Sequence, residues 1–129
     1  MRLSRVIALT LALGIATVAN GQWRKIVRGS GDVQTEQRKT AYFNSVHVST
    51  GIDVYLTQGS KESIKVEADD NLIEHIITEV RGNTLYVKTD RVQIRNAKAR
   101  IVHVSMKDIE ELKASSAGDI IGETPIETP

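Results

Sequence analysis

The sequence predicts a mainly β fold with one short helix, and three observations carry that expectation. Apolar and polar residues alternate in short runs, as at Val46–Val48, Ile52–Val54–Leu56 and Ile64–Val66–Ala68; a period of two turns one face of each run inward. Small and polar residues punctuate these runs at Gly51 and at Gln58-Gly59-Ser60, where turns belong. A corner of small residues, Gly, Asp and a β-branched residue recurs three times: at Gly29-Ser30-Gly31-Asp32-Val33, at Ser49-Thr50-Gly51-Ile52-Asp53-Val54 with one residue inserted, and at Ser116-Ala117-Gly118-Asp119-Ile120. Such corners suit stacked β strands, because Gly allows the bend, Ser or Asp bonds exposed backbone, and Val or Ile points inward. Gly31, Asp32, Gly51, Asp53, Gly118 and Asp119 are therefore expected to be structural corner residues.

Taken in chain order, residues 1–21 read as a signal peptide rather than as fold. Arg2 and Arg5 precede an apolar run from Val6 to Val18, and Ala19-Asn20-Gly21 supplies a small-x-small cleavage site. The run is too short to serve as a membrane anchor. Its removal takes two arginines away, so 17 Lys+Arg against 16 Asp+Glu becomes 15 against 16, and the net charge moves from +1 to −1. Cysteine is absent, so neither a disulfide nor a lipid-bearing cysteine after the apolar run is available. These features point to an exported protein of the periplasm, the outer-membrane surface or the extracellular space.

Residues 22–30 form a lead, and the alternating strands follow. The spacing from Leu56 to Ile64 suits a hairpin. In "DNLIEHIITEV" the residues Leu72, Ile73, Ile76 and Ile77 make one apolar face of a short helix over 71–78. Asn71 and Glu74 would form its capping box, and His75 would lie free on the solvated side. Gly82-Asn83 then joins two alternating runs as a tight hairpin turn. Val92 and Ile94, and then Val102, Val104 and Met106, continue the alternation. Ile109 and Leu112 suggest a turn or brief helical link before the last run, Ala114 to Ile121. Fraying is expected from Gly122, where Pro125 and Pro129 obstruct pairing.

Little in this pattern points to catalysis. His47, His75 and His103 sit on separate segments, and no His-x-His, His-Glu-x-x-His or Gly-x-Ser-x-Gly occurs. No catalytic residue, metal ligand or cofactor is expected; the corner aspartates suit backbone capping better than metal binding. Charges are mixed along the chain, so no basic face for nucleic acid is foreseen. Phe43 should pack inside. Tyr55 and Tyr86 alternate with inward residues, hence face outward, and are the candidates for stacking on a ligand such as a sugar ring.

The stretch "TAYFNSVHVSTGIDVYLTQGSKESIKVEADDNLIEHIITEV", with "VQIRNAKARIVHVSMKDIEELKASSAGDI", resembles the auto-transporter adhesin family with a head GIN domain. The likeness runs from about Gly31 to the end and is most specific over Ser49–Gln58, Glu67–Glu79 and Ser115–Ile121. It implies a superhelical β-stack of the right-handed β-helix or β-solenoid kind, with Ser-Gly-rich corner repeats in its second half. Against that pattern residues 31–129 look like the N-terminal part only of such a domain, with further C-terminal repeats missing. The implied role is non-enzymatic adhesion, or binding of a host or cell-surface glycan or protein, with homo-oligomerisation through an exposed sheet edge as a further expectation. A carbohydrate-acting β-helix enzyme and a purely structural envelope protein are the alternatives.

Overall fold

Alternation of inward and outward side chains organises the molecule as two β-sheets sharing one core. The structure is a computed structural model and describes residues 24–127; the expected signal peptide lies outside them. Eleven strands follow in order among the described residues: β1 (Lys25–Arg28), β2 (Val33–Arg38), β3 (Ser45–Val48), β4 (Asp53–Gln58), β5 (Ser63–Asp69), β6 (Ile76–Arg81), β7 (Thr84–Thr89), β8 (Val92–Arg95), β9 (Arg100–Met106), β10 (Glu111–Ala114) and β11 (Asp119–Gly122). The first sheet has the order β10-β3-β7-β6 and the second β11-β4-β9-β5-β2. Neither closes on itself. β1 and β8 form a separate parallel ribbon, which rests Val27 and Ile94 against the core.

The parallel pairings explain how the two sheets are joined. β10, β3 and β7 run parallel in the first sheet, and β11, β4 and β9 in the second. The chain passes from β3 to β4, and again from β10 to β11, through a corner that crosses from one sheet to the other. Ser45 pairs with Glu111 before the corner and Asp53 with Asp119 after it, an unchanged offset that stacks one corner on the other. Val46, Val48, Leu85 and Val87 from one sheet meet Val54, Leu56, Val102 and Val104 from the other. Phe43, Ile52, Leu72 and Ile109 complete this buried cluster, so the core supplies the apolar burial that a cysteine-free chain needs.

Several local expectations are corrected by these pairings. The helix expected over 71–78 is only a 3-10 turn at Ile73–His75, and strand β6 begins at Ile76. Four isoleucine and leucine side chains fit a helical face, but β-branched Ile76 and Ile77 also suit a strand, and pairing with β7 decides. Arg38 on β2 donates to the carbonyls of Ile73 and Ile76, which satisfies backbone that a helix would have paired. No capping box forms; Asn71 accepts from the Ser30 amide and donates to the Arg28 carbonyl instead. The hairpin expected between Leu56 and Ile64 is absent as well, because β9 lies between β4 and β5 and pairs with both. Ile109 is buried, but Leu112 belongs to strand β10 and no helical link precedes it. By contrast Gly82 does turn β6 into β7, at φ 61°. The C-terminal stretch is clasped rather than frayed: Glu123 donates to the Leu56 carbonyl, and Gln58 bonds Thr124 and Glu127.

Candidate functional site

Both sequence-selected tyrosines stand on outer faces, one on each sheet. Tyr86 on β7 lies beside His47 on β3, and Tyr55 on β4 lies beside His103 on β9. Their inward neighbours Leu85, Val87, Val54 and Leu56 are buried, so the two rings face away from a shared core. No one small ligand reaches both.

The two surroundings repeat one arrangement. The His47 ring meets Tyr86 edge-on, with centroids 5.2 Å apart and planes at 82°. His47 Nε2 donates to Glu111 Oε1 at 2.6 Å. On the other sheet, His103 meets Tyr55 at 5.7 Å and 87°, and its Nε2 donates to Glu67 Oε1 at 2.8 Å. In each case the carboxylate comes from the strand on the far side of the histidine, two residues out of direct register. The carboxylate fixes the imidazole, and the imidazole packs perpendicular to the tyrosine ring. The hydrogen bond from His47 is the main cause that holds the Glu111 carboxyl below its ordinary range, against partial desolvation that raises it.

One difference separates the faces. Arg81 lies over the Tyr86 ring with its guanidinium carbon 4.3 Å from the centroid, a cation–π contact that occupies one ring face. Among the described residues Tyr55 has no such cover. His75, expected to be free, is partly buried, and its Nδ1 donates to the Asp90 carboxylate at 3.0 Å. Sequence reasoning missed these carboxylate partners, since Glu111 and Glu67 stand 64 and 36 residues from their histidines.

The corner residues have distinct placements. Thr50 and Gly51 have φ of 60° and 72°, and Ser116 and Ala117, opposite them in the stack, have 49° and 65°. Gly118 therefore stands opposite Ile52, not Gly51, and its φ is not in the left-handed region. It is small for a different reason: a Cβ there would lie 3.2 Å from the Ser49 backbone of the adjoining corner. Asp53 and Asp119 face each other across the stack, and Asp119 Oδ1 accepts from the Ile120 amide. Gly31 (φ 84°) and Asp32 belong to a corner of another kind, between β1 and β2. That corner is seated on Asp69, which sequence reasoning did not single out as a corner residue. Asp69 is fully buried; its Oδ1 accepts from the Lys98 and Ala99 amides and its Oδ2 from the Gly31 amide.

Comparison with known proteins follows the same outline. The family model described as "Putative auto-transporter adhesin, head GIN domain" matches residues 42–129. Among solved structures, a "putative adhesin" from Parabacteroides merdae superposes with a TM-score of 0.70 at 22% identity, over 79% of this chain and 43% of that one. A "putative adhesin" from Parabacteroides distasonis gives 0.72 at 21%, over 79% and 43%. A "Putative lipid binding protein" from the same organism gives 0.68 at 22%, over 76% and 44%. At these identities the likeness is one of fold, and this chain spans less than half the length of each. No curated protein matches the sequence.

Proposed function

The chain belongs to the auto-transporter adhesin family, head GIN domain, and from that premise we propose that it is an exported, non-enzymatic binding module of the bacterial surface. The proteins it is similar to are described as adhesins or as lipid binding, none as an enzyme. Residues 1–21 act as its signal peptide, 22–30 as a lead and 31–129 as the domain. The corner-linked parallel strands are the start of a right-handed superhelical β-stack; the unchanged offset between the two corners supports this. Gly31, Asp32, Gly51, Asp53, Gly118 and Asp119 serve its corners.

The observation that carries the binding role is the doubled Tyr–His–Glu arrangement on the outer faces. A tyrosine packed against a fixed imidazole loses little side-chain freedom when a ligand lands on it. Tyr55, whose ring face carries no cation, is suited to stacking on the apolar face of a sugar. Tyr86 offers its hydroxyl and a ring shared with Arg81, a setting that also suits a peptide.

The test is a glycan array and a whole-cell binding assay with the native chain, Tyr55→Ala, Tyr86→Ala and the double variant. Each single substitution is expected to weaken glycan binding about fivefold, as for loss of about 1 kcal/mol of aromatic contact, with the thermal midpoint nearly unchanged. Undiminished binding by the double variant would remove the tyrosines from the proposal.

A further inference from the structure

Three adjoining depressions form a trough along the corner side of the stack. Lys113, Ser115, Ser49 and Lys88 line the first; Ser49 and Lys88 are shared with the second, which adds Thr50, Arg91 and Arg24. Arg24 and Thr50 are shared in turn with the third, where Gln93 and Arg100 stand. Five cations thus line one continuous surface: Lys113, Lys88, Arg91, Arg24 and Arg100. They come from β10, β7, β9, the start of the described chain and the turn after β7, so their gathering is invisible in the sequence.

These cations are uncommitted. Among the described residues none of the five forms an ion pair, whereas Arg38 and Arg81 are held by Glu36 and Glu79. The carboxylate that lines the trough, Asp90, accepts from His75. Glu111, beside Lys113, accepts from His47. Arg100 is placed over the stacked corner, since a Cβ on Gly51 would lie 3.1 Å from its Nη1. Lys113 and Lys88 stand two strands apart and two residues out of register, about 12 Å between backbones, so they address separate charges on one ligand.

We propose that this trough binds an acidic polysaccharide, one whose sugars carry carboxylate or sulfate groups. The five cations meet the charges, and Ser49, Thr50, Ser115 and Gln93 supply the hydroxyl and amide partners that sugar hydroxyls require. Thr50 Oγ1 already accepts from the Thr89 amide, which leaves its own proton to donate. A bilayer is a poorer occupant: of the exposed large apolar residues, Tyr42, Leu112, Ile121 and Ile126 do not line the trough and Ile26 stands beside its Gln93 without lining it, whereas membrane surfaces are held by cations with several inserted apolar groups. Single-stranded nucleic acid needs stacking platforms, yet the aromatic rings lining the trough are Tyr86 and His47, which pack against each other, and Tyr86 has a face under Arg81.

The choice of a glycan rests on the proposed binding role; the cations are different residues from Tyr55 and its partners, while Tyr86 lines one end of the trough. Calorimetry of the full chain with polygalacturonate and with dextran sulfate, and with neutral dextran as reference, tests it. Binding to the acidic polymers alone is expected, weakening as salt is raised because the contacts are between exposed charges. The double variant Lys88→Gln, Arg91→Gln should bind about tenfold more weakly, Lys61→Gln, an exposed lysine outside the trough, should match the native chain, and Lys88→Arg should retain affinity. Failure of the native chain to bind either acidic polymer, or equal binding by the double variant, overturns the proposal. So does tighter binding to phosphatidylglycerol vesicles or to oligothymidylate than to both polymers. Loss of array binding in Tyr55→Ala, with polymer binding by the native chain intact, concerns only the Tyr55 face; loss of polymer binding in Lys88→Gln, Arg91→Gln with array binding intact concerns only the trough.

Discussion

At the scale of single residues, Asp69 shows how a charged side chain can be buried and still stabilise. Burial by itself would raise its pKa, but the amides of Ala99, Gly31 and Lys98 outweigh that and hold it below the ordinary aspartate value. A depressed folded-state value contributes stability at neutral pH that disappears as pH falls through and below about 4. Asp69→Asn should therefore lower unfolding stability by about 2 kcal/mol at pH 7, and its deficit against the native chain should shrink at pH 3. Urea unfolding at the two pH values checks this; an equal deficit at both would mean that charge is not the source. Gly29 is tied to the same carboxylate. A methyl group there would strike Asp69 Oδ2 and lie 2.8 Å from the Asn96 carbonyl oxygen, so Gly29→Ala should cost about 1–3 kcal/mol by overpacking. At neighbouring Gly31 a Cβ would meet nothing within 4 Å, and only its positive φ resists substitution.

At the scale of elements, the stacked corners carry strain that the sequence distributes unequally. Gly51 takes φ 72° without cost, while Ala117, in the equivalent place, holds 65° with a Cβ. Ala117→Gly should raise stability by about 1 kcal/mol, and Gly51→Ala should lower it by a similar amount. Differential scanning calorimetry distinguishes the two directions, and a lowered midpoint for Ala117→Gly would show that the left-handed residues are not strained. The parallel order of the sheets depends on these corners. Parallel strands cannot be joined by tight hairpins, so the chain changes sheet at each corner and returns later to the same stack.

At the scale of the whole molecule, β10 and β11 are each the outermost strand at one side of a sheet among the described residues. Leu112 shares a row with Val46 and Leu85, both buried, but is itself 37% exposed. Ile121 is similarly open at 38%. Unpaired strand edges with apolar side chains invite further pairing. A polypeptide of these 129 residues is expected to self-associate with rising concentration, and Leu112→Lys with Ile121→Lys should return it to monomer in sedimentation equilibrium. A monomer at all concentrations for the native chain would rule out pairing through this edge.

The sequence by itself determined the strand character, the buried phase of each run and the outward aim of Tyr55 and Tyr86. Those properties follow from a period of two, which is local and needs no knowledge of partners. The Gly82-Asn83 turn was legible from its own dipeptide, which takes positive φ with little strain between two alternating runs. Only the tertiary structure decided which strands are neighbours: β9 between β4 and β5, β6 as a strand instead of a helix, and the two corners in one register. Pairing energy is collected between segments far apart in the chain, so a local pattern cannot rank the choices. The carboxylates that hold His47, His75 and His103 were hidden likewise, as was the basic trough, because charges well mixed along a chain can still converge when strands stack.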